Sequence, residues 1–161
     1  MNAANEHIDT IAKLIKDIQH AMLTSVTPDG HLHACPMGTA AFEPESRTVW
    51  FLADPTIQTL QDIQNNPQVN LSYTDGKNYL SINGTAEITD NPAKVEELWS
   101  AFHNAFFEHG KEEVRLIKVT PNGAQYWLGG NSVANMVKIT AGMLTGNKIA
   151  DSLGESHSVD L

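Results

Sequence analysis

The chain has 161 residues, 41% of them hydrophobic and 18% charged, which suits one globular domain and excludes a disordered or low-complexity polymer. Its net charge of −9, with Arg47 the only basic residue between Lys16 and Lys77, repels phosphate backbones and anionic lipid, so neither a nucleic-acid nor a membrane partner is expected. One cysteine, Cys35, allows no internal disulfide, and the polar start MNAANEH reads as no secretory leader, so the cytoplasm is the expected location.

Ile8, Ile11, Leu14, Ile15 and Ile18 recur at helical spacing, so the chain is predicted to open with an amphipathic helix. MLTSVT and HLHACPMGTAAF follow as two strands around Pro28-Asp29-Gly30, a turn in which proline fixes one φ and glycine takes a positive one. Val49–Ala53 is continuously apolar, the signature of a strand covered on both faces. Thr56 is the expected N-cap of a short helix that carries Leu60 and Ile63 and stops at Asn65-Asn66-Pro67.

Val69, Leu71 and Tyr73, then Leu80, Ile82 and Ala86, alternate with polar residues on either side of Asp75-Gly76 and read as a second hairpin. Asn91-Pro92 starts a long helix with Val95, Leu98, Trp99, Phe102 and Phe106 on one face, ending near Gly110. Arg115–Thr120 and Ala124–Leu128 read as a third hairpin across Pro121-Asn122-Gly123. Val133, Met136, Val137, Thr140, Ala141 and Leu144 describe a C-terminal helix closed by Gly146, followed by a polar tail. Short strands joined mainly by hairpins favour an antiparallel barrel over a doubly wound sheet.

Phosphate-binding glycine loops, a serine nucleophile elbow and paired zinc cysteines are absent from the sequence. His31 and His33 lie two apart in a presumed strand and would share a face, as a haem or metal pair requires, but no carboxylate or thiolate completes a ligand set, and no metal is expected. Cys35 reads as a small buried filler as readily as a reactive thiol. Tyr126 and Trp127 suit core packing, or a wall beside a planar ligand.

Taken in order, LTSVTPDGHLHACPM, VWFLADP, IQNNPQVNLSYTD, YLSINGTAEITD, KVEELW, LIKVTPNGAQYW and GMLTGNK with GESHSVDL resemble the general stress protein branch of the pyridoxamine 5'-phosphate oxidase-like flavoproteins. The resemblance implies a mainly β, antiparallel split barrel of the FMN-binding type, one domain over 1–161. Its N-terminal helix would occupy 1–20, its strands and inserted helices 21–128, and its C-terminal helix and tail 129–161. It further implies a homodimer that binds flavin mononucleotide in clefts lined by both subunits. Cys35, Pro36, Met37 and Gly38 would stand beside the ring and ribityl chain, with Leu52, Ala53, Gln58 and Thr59 on the phosphate side. Tyr79 and Trp127 would approach the ring from the partner subunit.

The sequence departs from the family's pattern at two cations: Cys35 stands where an arginine usually precedes Pro-Met, and Thr59 where a lysine opens the helix. Each lost charge-assisted contact would cost on the order of 1.5–3 kcal/mol of phosphate binding. Thr56, Thr59 and helix N–H groups, or Arg47, Lys77 or Lys138, are the candidates to compensate. The implied activity is at most that of an FMN-dependent oxidoreductase or flavin carrier, with no catalytic residue evident. The alternative is a non-enzymatic barrel that has lost phosphate binding and takes another small ligand or none. Leu128-Gly129-Gly130-Asn131-Ser132-Val133 offers no arginine for a substrate phosphate, which argues against oxidation of pyridoxamine phosphate itself.

Overall fold

The computed structural model describes residues 3–100, 103–108, 110–129 and 154–161. Its elements run α1 (Ala3–Ile18), β1 (His20–Val26), β2 (Leu32–Glu43), β3 (Thr48–Ala53), α2 (Gln58–Asn65), β4 (Gln68–Thr74), β5 (Tyr79–Thr89), α3 (Pro92–Leu98), β6 (Arg115–Gly129) and β7 (Gly154–Asp160). All pairings are antiparallel, in the order β3-β2-β1-β4-β5-β6-β7. A further β3–β6 pairing closes the first six strands into a barrel, leaving β7 as an added edge strand. The expected mainly β antiparallel barrel is therefore the observed architecture.

Alternation in the sequence becomes inside and outside of that barrel. Leu23, Leu71, Tyr73, Leu80 and Ile82 are buried and fill it with Phe51 and Val119. Ile11, Leu14 and Ile15, the apolar stripe of α1, are buried where that helix packs on β2 and β4. Leu60 and Ile63 of α2 are buried where it packs on β1 and β5.

Four local expectations change. The long helix after Asn91 is only α3: the Asn91 side chain caps it by accepting from the Lys94 N–H at 3.1 Å, but Trp99 turns extended and ends it. Ser100 then gives its N–H and hydroxyl to His103 Nδ1, both at 3.0 Å, a side-chain competition that favours a short 3-10 turn over another helical turn. Arg115–Gly129 is one strand, not a hairpin, because its Pro-Asn-Gly segment absorbs a bulge opposite Asn83 and Gly84. Thr56 is not the cap of α2; its N–H and hydroxyl both bond to Asp54, and Ile57 precedes the helix.

Fourth, residues 154–160 of the expected polar tail form β7 along β6. The predicted helix from Val133 to Leu144 lies outside the described residues.

Candidate functional site

The site begins where β2 and β3 part. They pair from Thr39 to Glu43 with a bulge between Thr39 and Ala41, and Phe51 is the last residue of β3 in the pairing. Residues 32–38 of β2 are therefore paired only to β1, and Leu52 and Ala53 only to β6. A proline at position 36 fits an edge that donates to no second strand. α2 follows β3 directly and lies against this opening, with Thr59 and Asp62 buried on the face it presents.

Alternation splits the four residues expected along the flavin. Pro36 and Gly38 are exposed on the outer face, whereas Cys35 is half-buried and Met37 buried on the inner one. Leu52 and Ala53 are also buried, so their side chains belong to the core and only their backbone borders the opening. Gln58 is exposed at the start of α2, and Thr59 is 1% exposed. Tyr79 and Trp127 are cross-strand neighbours on the outer face, 49% and 37% exposed.

Of these ten, Cys35 and Thr59 meet across the opening, whereas Tyr79 and Trp127 stand apart on β5 and β6. Tyr79 on β5 is three strand steps from β2, roughly 14 Å around the barrel, and Trp127 stands opposite it on β6; both face outward, whereas Cys35 lies on the inner side of β2.

Inside the opening lies a polar cluster that sequence reading missed. Cys35 Sγ sits 3.0 Å from Thr59 Oγ1. One turn along α2, the fully buried Asp62 accepts from Ser25 Oγ at 2.8 Å, Gln58 Nε2 at 2.9 Å and His33 Nδ1 at 3.1 Å. Burial pushes the Asp62 carboxyl upward, but the hydrogen bonds from Gln58, Ser25 and His33, with the charge of His33, outweigh it and hold the group below its ordinary value. A buried carboxylate thus stands one turn from Thr59. The available signal was helical spacing: Gln58, Thr59 and Asp62 fall on one side of a helix, and Ser25 and His33 are cross-strand partners.

The two histidines do not form a pair. His31 lies in the turn, 3.4 Å from exposed Asp29, while His33 is given to Asp62. Among the described residues no group of three or more His, Cys, Asp or Glu side chains gathers for a metal.

A cavity of about 580 Å³ lies between the end of α1, β2 and the residues after α3, with Ile15, Lys16, His20, Gly38, Phe42, Leu98 and His103 among its walls. Burial lowers the pKa of His103. The volume is that of an ordinary small-molecule site. A Cβ built on Gly38 would meet nothing within 4 Å, so the space beside it is open.

The pyridoxamine 5'-phosphate oxidase-like family model matches residues 6–151. Among solved structures, a Jannaschia sp. protein assigned to general stress protein 26 is 20% identical with a TM-score of 0.73, over 98% of this chain and 99% of that one. General stress protein 26 of Bacillus anthracis is 21% identical with a TM-score of 0.66, over 75% and 93%. The general stress FMN/FAD binding protein of Xanthomonas citri is 23% identical with a TM-score of 0.68, over 79% and 92%. No curated protein matches the sequence. Among the described residues no helix is long and apolar enough to cross a membrane.

Proposed function

The chain belongs to the pyridoxamine 5'-phosphate oxidase-like family, and on that premise we propose that it is a flavin-binding protein of the general stress type, a cytoplasmic homodimer with two shared clefts. The observation that supports this best is the parting of β2 and β3, with a cavity large enough for a three-ring heterocycle walled in part by Gly38 at the end of the parted stretch. In this reading Pro36, Met37 and Gly38 lie along the ring and ribityl chain, Gln58 approaches the tail, and Leu52 and Ala53 contribute backbone.

The exposed Tyr79 and Trp127, which face outward and away from Cys35, are assigned to the cleft of a partner subunit. Two copies would then exclude water from a ring that one copy leaves uncovered. A bound flavin supplies electron or hydride transfer. The protein's part is to bind, orient and shield it, and any enzyme activity is at most that of a flavin-dependent oxidoreductase. The acidic balance of the chain disfavours a nucleic-acid partner.

The test is direct. Purified protein should be yellow and release flavin on denaturation, or should quench the fluorescence of added riboflavin or flavin mononucleotide with a one-to-one endpoint per chain. Colourless protein that quenches neither overturns the reading.

A further inference from the structure

We infer that the tail end of this site selects against a phosphate, so that the preferred flavin is the unphosphorylated one; this rests on the flavin reading and specifies its ligand. The positions where the resemblance places two cations are occupied by Cys35 and Thr59, and the structure shows them in contact at 3.0 Å. Thr59 is 1% exposed, so the pair offers an anion neither charge nor, at Thr59, accessible donor surface. Behind it lies Asp62, fully buried and held ionised by three donors.

At helical i, i+3 spacing, Asp62 and Thr59 have side chains roughly 5–6 Å apart at their roots. A phosphate seated on Thr59 would therefore face a desolvated carboxylate at short range, where the repulsion of like charges is strong. A ribityl hydroxyl meets no such opposition: it can donate or accept beside Gln58, Cys35 and Thr59 without bringing charge.

Among the described residues the cations that could reverse this lie elsewhere; Lys138 falls outside the described residues. Arg47 is in the turn before β3, at the opposite end of that strand from Ala53. Lys77 is in the turn between β4 and β5. Arg115 comes nearest: it lies opposite Ala53 on β6 and shares a groove with Thr56 and Gln58, but its Nε is 3.4 Å from Asp90. His33, the one titratable donor to Asp62, is already engaged with that carboxylate.

The experiment titrates the full-length wild-type protein with riboflavin, flavin mononucleotide and lumiflavin, which lacks the tail, following fluorescence quenching. Riboflavin should bind at least tenfold more tightly than flavin mononucleotide. In Asp62→Asn, which keeps the shape and removes the charge, that ratio should fall at least threefold through tighter binding of the phosphorylated form. Flavin mononucleotide binding as tightly as riboflavin, or more tightly, overturns the inference while leaving the flavin reading intact. If that binding is also weakened by Arg115→Gln, the phosphate belongs in the groove beside α2. Should Asp62→Asn not fold, the wild-type ratio alone decides. Lumiflavin binding with no preference between the two longer flavins also overturns it, whereas binding of none of the three sinks the flavin reading itself and the inference with it.

Discussion

Asp62 has no route to water, and each of its oxygens answers a named donor. Asparagine in its place keeps one acceptor but turns an N–H₂ toward Gln58 or toward Ser25 and His33, leaving donors facing donors. Asp62→Asn should therefore destabilise the fold by about 1–3 kcal/mol at neutral pH, read from chemical denaturation. The pH dependence has a definite sign. The folded-state carboxyl titrates below its ordinary value, so the unfolded chain holds more protons in the window between the two. The stabilisation is complete above the unfolded value of about 3.9 and is lost as pH falls through the depressed one. The gap between wild type and variant should hence shrink in acid below about pH 4; a gap that widens there would contradict the assignment. None of this was legible in the sequence, where Asp62 is one polar residue of a short helix. The residue-level expectations it did support were the turn at Gly30, whose φ is 86°, and the helix start at Asn91-Pro92.

The elements show where local signals mislead. Pro121-Asn122-Gly123 has the composition of a hairpin turn, yet β6 runs straight through it, because β5 beside it is long enough to pair with both halves. Gly84 lies opposite Pro121, and a Cβ on it would come within 2.6 Å of the Thr120 carbonyl oxygen. Gly84→Ala should accordingly cost about 1–3 kcal/mol, since a backbone atom must move to admit it. Gly38→Ala is the matched control: its Cβ meets nothing within 4 Å, and stability should stay within about 0.5 kcal/mol of wild type. Thermal melts of the two variants side by side check both, and equal losses would show that the bulge contact does not constrain β5. The helix after Asn91 is shorter than its periodicity implies for a related reason. Trp99, His103 and Phe107 meet, with ring centroids 5.5 to 6.2 Å apart, through 3-10 turns and loops in place of a continuous helix, while Phe106, expected on the helix's apolar face, is exposed.

In the whole molecule, the outer face of the barrel carries Met22, Leu32, Tyr79 and Trp127 exposed, with Leu32 77% accessible. Side chains of this size scattered singly would need no explanation, but Met22 pairs with Pro36 and Tyr79 with Trp127, giving two apolar patches on the outside of the barrel. The proposed dimer covers them. Light scattering should therefore give about twice the 17.6 kDa chain mass, and Leu32→Glu with Met22→Glu should return it to the monomer value without lowering the stability of the fold by more than about 1 kcal/mol. A wild-type protein that is monomeric at micromolar concentration overturns the shared cleft and leaves Tyr79 and Trp127 without a ligand.

The sequence by itself determined the antiparallel barrel and the first two helices, because alternation, helical spacing and turn residues are local properties; the site along β2 was implied only by the resemblance to a family. Tertiary structure alone decided that the Pro-Asn-Gly segment stays extended, that residues 154–160 become a strand, and that Cys35 touches Thr59 above a buried carboxylate. Those outcomes depend on which strands and helices meet, and a contact between residues 24 or 37 positions apart leaves no periodic trace in the chain.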